Sequence, residues 1–164
     1  MTLTYLTLEQ AIDIHARTVE VSGGGTLGHL ELGKLDSVLQ NIQNDDYYPS
    51  FEEKLTHLFF SACKFHCFQD GNKRIAITLS AQMLLFNGYM YCASSFLREM
   101  ENISYHVAAG NIDKELLLGA CRTLVVDSEN RPRRGRFLPI SPPHGCSMGQ
   151  EIGKKGAGAV DLQP

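Results

Sequence analysis

Between Lys73 and Asn87 the chain reads KRIAITLSAQMLLFN. On a helix its apolar members (Ile75, Ala76, Ile77, Leu79, Ala81, Met83, Leu84, Leu85 and Phe86) fall on nearly every face. A helix of that kind has no side to show to water, so it must run through the middle of a domain with other elements packed around it. The rest of the sequence offers those elements. Thr7-Leu-Glu-Gln10 has the form of a capping box and predicts a helix to about Val21, where SGGG stops it. Leu35, Val38, Leu39 and Ile42 share one face of a predicted helix over Lys34–Gln43. Ser50-Phe-Glu-Glu53 is a second capping box and opens a helix to about Phe65. Gly88 ends the central helix, and two shorter helices are predicted near Ser95–Ala109 and Ile112–Val126. The fold class is therefore all-α, with room for one small hairpin.

At 164 residues the chain suits a single domain with a real core. Charges of both signs are mixed and the formal net charge is -3, so no global positive field argues for nucleic acid or an anionic membrane surface. The start, MTLTYLTLEQ, lacks the basic flank and apolar run of a signal peptide. No uninterrupted apolar run of about 18 residues predicts a membrane span. Five cysteines are scattered through mostly apolar segments, a pattern of free thiols in a reducing compartment. These features together predict a soluble cytoplasmic protein. From Asp127 onward the chain turns Pro- and Gly-rich and loses periodicity. The reading is a catalytic domain over 1–126 and a tail over 127–164 that is disordered or foreign to the domain. RPRRGR within that tail reads as a solvated basic run rather than a nucleic-acid patch.

Just ahead of the central helix, HCFQDGNKR (His66–Arg74) packs an imidazole, a carboxylate, an amide, a lysine and an arginine together. The position is a helix-to-helix joint. A helix N-terminus presents unpaired N–H groups and partial positive charge, which hold anions. Gly71 permits a positive φ, so successive N–H groups can form a concave nest, and Asn72 can lock the turn with its side chain. Lys73 and Arg74 add a point charge and a bidentate fork. Asp70 has the chemistry to hold Mg2+ beside a polyphosphate. His66 is of the type that exchanges a proton near neutral pH, and Phe68 should turn inward and pin the loop. Base, metal ligand, anion nest and cationic clamp are what phosphoryl or nucleotidyl transfer requires. Each piece taken singly has a plainer reading. Asp70-Gly71-Asn72 is a turn signal, His66 could cap its helix, and Cys63, His66 and Cys67 lack the second ligand pair of a zinc site.

Taken together, HCFQDGNKR resembles the Fic motif H-x-F-x-D/E-G-N-x-R, and the order of helices around it is similar over about Leu3–Val126. Within that family the sequence looks most like the Doc toxins. Lys73 stands where the nucleotide-transferring branch has Gly, and Ile77 where that branch has a second Arg. Gly71, against Ala in Doc itself, departs toward the other branch. The resemblance implies an ATP- and Mg2+-dependent protein kinase, the toxin of a toxin–antitoxin pair, acting on a translation component such as elongation factor Tu. Its alternatives are a protein AMP transferase and, in another class, a non-enzymatic binding module. The implied roles are His66 as general base, Asp70 as Mg2+ ligand, Gly71, Asn72 and Lys73 as phosphate loop, Arg74 on the transferring phosphoryl group, and Phe68 as anchor. The family places a flap, often a hairpin, at Asn41–Phe51, where Tyr47 and Tyr48 would position the target. The family's internal inhibitory pattern, S/T-x-x-x-E-G/N, is not completed at Ser95…Glu99 or Ser147…Glu151, since Met100 and Ile152 follow. Inhibition by an antitoxin in trans is the matching expectation.

Overall fold

The computed structural model describes residues 2–130, and the side-chain surroundings of 2–126. Six helices follow in order: α1 (Leu8–Val21), α2 (Leu32–Asn41), α3 (Phe51–Lys64), α4 (Asn72–Phe86), α5 (Met90–Ala109) and α6 (Lys114–Asn130). Both sequence-read capping boxes are formed. Thr7 accepts from the Gln10 N–H while the Gln10 side chain accepts from Thr7, and Ser50 and Glu53 repeat the exchange at α3. Each box satisfies two N–H groups that a helix start leaves unpaired.

The apolar-all-round segment is the centre of the bundle, with α1, α3 and α5 packed against α4. Ala76, Leu79, Met83 and Leu84 are fully buried there, while Leu85 and Phe86 in its last turn reach water. Phe59 of α3 meets Phe96 of α5 edge to face at 6.2 Å, and α6 closes the core with Leu117 and Cys121. Cys63, Cys67 and Cys121 are buried free thiols, and Cys92 is buried as well. Burial pushes the Cys63 thiol up to about 12. No helix among the described residues is long and apolar enough to cross a membrane.

Three expectations are corrected. The second helix begins at Leu32 and ends at Asn41, and α5 begins at Met90 rather than near Ser95. Its cap, Tyr89, makes no side-chain capping bond, so the sequence carries no start signal there. The flap over Asn41–Phe51 is a series of turns and not a hairpin. The cause lies on α3. Lys54, 1% exposed, donates from Nζ to the Ile42 carbonyl at 2.8 Å and to Asp45 Oδ1 at 2.7 Å. Asn44 accepts from the Asp46 N–H at 2.8 Å, and these three bonds hold the chain in turns where strands would have to pair. Helix α6 also continues past position 126, to Asn130. The rest of the tail lies outside the described residues.

Candidate active site

Helix α3 ends at Lys64, and two residues later His66 takes φ +48°, the left-handed region that a residue with a Cβ rarely enters. That reversal points Cys67 and Phe68 into the core, at 1% exposure each, and leaves His66 exposed. Phe68, expected as the anchor of the loop, is fully buried. Its ring stacks on His15 of α1 at 3.9 Å and 13°, and meets His29 edge-on at 5.7 Å. His15, itself buried, has Nε2 3.1 Å from the Asp70 carbonyl, so it carries its proton on Nε2 and donates it there.

The turn into α4 is fixed from both sides. Asn72 Oδ1 accepts from the Phe68 N–H at 3.0 Å, and Asn72 Nδ2 donates to the Phe68 carbonyl at 2.7 Å. Gly71 sits at φ +80° as the cap of α4, which an L side chain rarely adopts. Its N–H donates to Asp70 Oδ1 at 2.6 Å, while Arg74 Nη2 approaches Asp70 Oδ2 at 3.4 Å. The carboxylate thus lies between a backbone N–H at a helix start and a guanidinium. That pair of donors is an anion seat, and the chain's own Asp70 is seated in it.

A single segment backs the loop. Between α1 and α2, Gly28 accepts from the Gln69 N–H at 2.9 Å, and the Leu30 and Glu31 N–H groups both donate to the Cys67 carbonyl. His29 forms an antiparallel bridge with Phe68, the one isolated bridge among the described residues. Earlier in the segment, Gly25 lies directly against the Asp70 carboxylate.

The other predicted residues divide. Arg74 is half-buried beside a hollow of about 230 Å³ that Thr18, Ser22, Ile77, Thr78, Leu97 and Glu101 line with it. Lys73 goes elsewhere, with its ammonium 5.2 Å above the Tyr105 ring of α5, so the charge expected in the nest is drawn onto an aromatic face. Tyr47 is exposed. Tyr48 is packed, stacked on His57 at 4.5 Å with the Lys114 ammonium 4.9 Å above its ring. Lys114 donates to His57 Nδ1 at 2.9 Å. Burial and that neighbouring charge push His57 down to about 4, and burial raises Tyr48.

No group of three or more His, Cys, Asp or Glu among the described residues is placed to hold a metal. The half-exposed carboxylate of Asp70, a hard oxygen donor beside an anion seat, fits an ion that brings waters and phosphate oxygens as its remaining ligands, which is the habit of Mg2+.

Residues 5–84 match the model of the Fic/DOC family. The match runs from before α1 to near the end of α4, so it takes in the loop His66–Arg74 and the segment that backs it. The helices form an all-α, Fic-like domain, and members of the Fic/DOC family are typically transferases that act on proteins. A search of curated proteins finds no match. Sequence reasoning missed His15, His29, Gly25 and Gly28. His15 had left a sign, because Ala11, His15 and Val19 recur every fourth residue on the buried face of α1.

Proposed function

We propose that this chain transfers the γ-phosphate of ATP to a hydroxyl of another protein, as the toxin of a toxin–antitoxin pair. The observation that carries the reading is the Asp70 carboxylate held between the Gly71 N–H and Arg74, which supports reading the start of α4 as a seat for a phosphate oxygen. His66, exposed at the head of the same loop, takes the proton of the target hydroxyl. The hydroxyl oxygen bonds to the γ-phosphorus, the bond to the bridging oxygen breaks, and ADP leaves with the electron pair. Arg74 offsets the charge that builds on the phosphoryl oxygens. Mg2+, held by Asp70, would neutralise the phosphates and fix their orientation. Asn72 and Phe68 keep the loop in place. Elongation factor Tu is the family precedent for the target, and a separate antitoxin is the proposed inhibitor.

The choice of phosphate over AMP rests on Ile77. In the branch that transfers AMP a second arginine occupies this position, whereas here the hollow beside Arg74 is lined by Ile77, hydroxyls, Leu97 and the carboxylate Glu101. With Lys73 drawn to Tyr105, a single cation serves the outer phosphates. One observation favours AMP transfer instead, namely Gly71 at φ +80°, the commoner family residue in a conformation that suits it.

The test uses ATP labelled at the α or the γ phosphate, with Mg2+, a bacterial lysate and a His66→Ala control. Label reaching a protein only from the γ position supports the kinase, and the labelled band gives the target. Label from the α position makes the chain an AMP transferase. If His66 governs neither label, a binding module is left.

A further inference from the structure

The three glycines after α1 take φ +87°, +106° and +153°, a run that only glycine adopts readily. They differ in what surrounds them. A Cβ on Gly23 or Gly24 would meet nothing within 4 Å, whereas one on Gly25 would lie 2.8 Å from Asp70 Oδ2 and 3.3 Å from Val19. The same carboxylate oxygen is 3.4 Å from Arg74, and its partner oxygen is held by the Gly71 N–H. Asp70 is therefore bounded on one side by its own loop and α4, and on the other by a bare Cα. Farther along the same segment a Cβ on Gly28 would run into the Gln69 side chain, and Gly28, Leu30 and Glu31 bond to the backbone of Gln69 and Cys67. Position by position, the segment lies antiparallel along the loop, with residue 25 against 70, 28 against 69, and 30 and 31 against 67.

We infer that Gly25 is a positioning residue for the Asp70 carboxylate, whose oxygen it sets by leaving no Cβ in the way, and so tunes how the site takes Mg2+ with a nucleoside triphosphate. This rests on the reading of Asp70 as a metal-binding carboxylate. The segment acts through Asp70, whose carboxylate oxygen is the atom it bounds. Any side chain at position 25 pushes the carboxylate aside, because the atom that must give way is Oδ2 itself.

Gly24 supplies the control, since Gly24→Ala forces a Cβ into a similarly unsuitable backbone conformation without touching Asp70. The measurement is binding of a fluorescent, non-hydrolysable ATP analogue to the full chain, titrated with Mg2+ and then with EDTA present. Gly25→Ala is expected to raise the Mg2+ concentration needed for half-maximal binding about tenfold, Gly24→Ala less than twofold, with EDTA-insensitive binding kept by both. In an Asp70→Ala background Gly25→Ala should have no further effect. Thermal melts of the four combinations read the same contact even where Gly25→Ala is poorly stable. Asp70→Ala should then recover the part of the melting temperature that Gly25→Ala loses beyond Gly24→Ala. Equal behaviour of the two alanine variants overturns the inference while leaving the reading of the site intact. An effect of Gly25→Ala that persists without Asp70 does the same. Absence of Mg2+-dependent binding in the unaltered chain overturns the reading, and the inference with it.

Discussion

Asn72 and Phe68 hold each other by two hydrogen bonds, one from the Phe68 N–H to Asn72 Oδ1 at 3.0 Å and one from Asn72 Nδ2 to the Phe68 carbonyl at 2.7 Å. The amide uses its oxygen and one of its two N–H groups on one residue's backbone, so it fixes the loop. An acid cannot imitate it. Asn72→Asp keeps the acceptor and sets a carboxylate against a carbonyl. We expect Asn72→Asp to lose about 1–3 kcal/mol in urea unfolding, the usual cost of leaving a partly buried group unmatched. Equal stability of Asn72→Asp and the unaltered chain would mean that the clasp contributes nothing.

Phe68 carries the loop's link to the core. Its ring is fully buried between His15 and His29, and truncation leaves a cavity under the His66–Arg74 loop. Phe68→Ala should cost about 3–5 kcal/mol, and Phe68→Leu clearly less because it refills most of the space. Chemical denaturation of both variants checks the order. A mild Phe68→Ala would show that the loop is held by its backbone bonds alone.

Asp70 has two incompatible employments in the proposed reaction. Its carboxylate fills the anion seat formed by Gly71 and Arg74, yet a phosphate oxygen is to occupy that seat while Asp70 turns to the metal. Asp70→Asn removes the competing charge. Binding of an ATP analogue in EDTA should then tighten several-fold, roughly what one charge contact at a half-exposed site is worth, while transfer in Mg2+ falls. Weaker EDTA-resistant binding in the asparagine variant would contradict the competition.

His57 makes the fold sensitive to acid. Its pKa in the folded chain is down to about 4, against 6.5 as the ordinary value. Between those values the unfolded chain takes up a proton that the folded chain refuses, so the contribution is complete above about pH 6.5 and is lost as the pH falls toward 4. The melting temperature should fall across that window, and fall less steeply in His57→Phe, which keeps a ring against Tyr48. Parallel slopes in the two proteins would clear His57 of the effect.

What could be read from the sequence was what neighbours in sequence decide. The capping boxes at Thr7 and Ser50 are patterns within one turn, and the all-round apolarity of α4 follows from composition along a single helix. Phe68 could be read as an anchor because an aromatic among polar neighbours has one way to turn. Other placements have a different origin. The flap expected as a hairpin is set by Lys54 reaching back from α3, and Lys73 by Tyr105 on α5. Tyr48, expected as a target contact, is instead packed by His57 and Lys114. None of these partners lies near in sequence. SGGG could be read as a helix stop, which it is, but nothing local says that Gly25 faces Asp70.

The segment that lines the back of the loop belongs to a part of the chain some forty positions upstream of it, and this bears on what the motif is worth by itself. A helical hairpin cut from α3 and α4 would keep every letter from His66 to Arg74. It would lack the His15 donor on the Asp70 carbonyl, the Gly28 carbonyl under Gln69 and the two N–H groups on Cys67. Grafted into another scaffold, those letters would spell the signature without its geometry, so the transferable unit is the motif together with α1 and the segment that follows it.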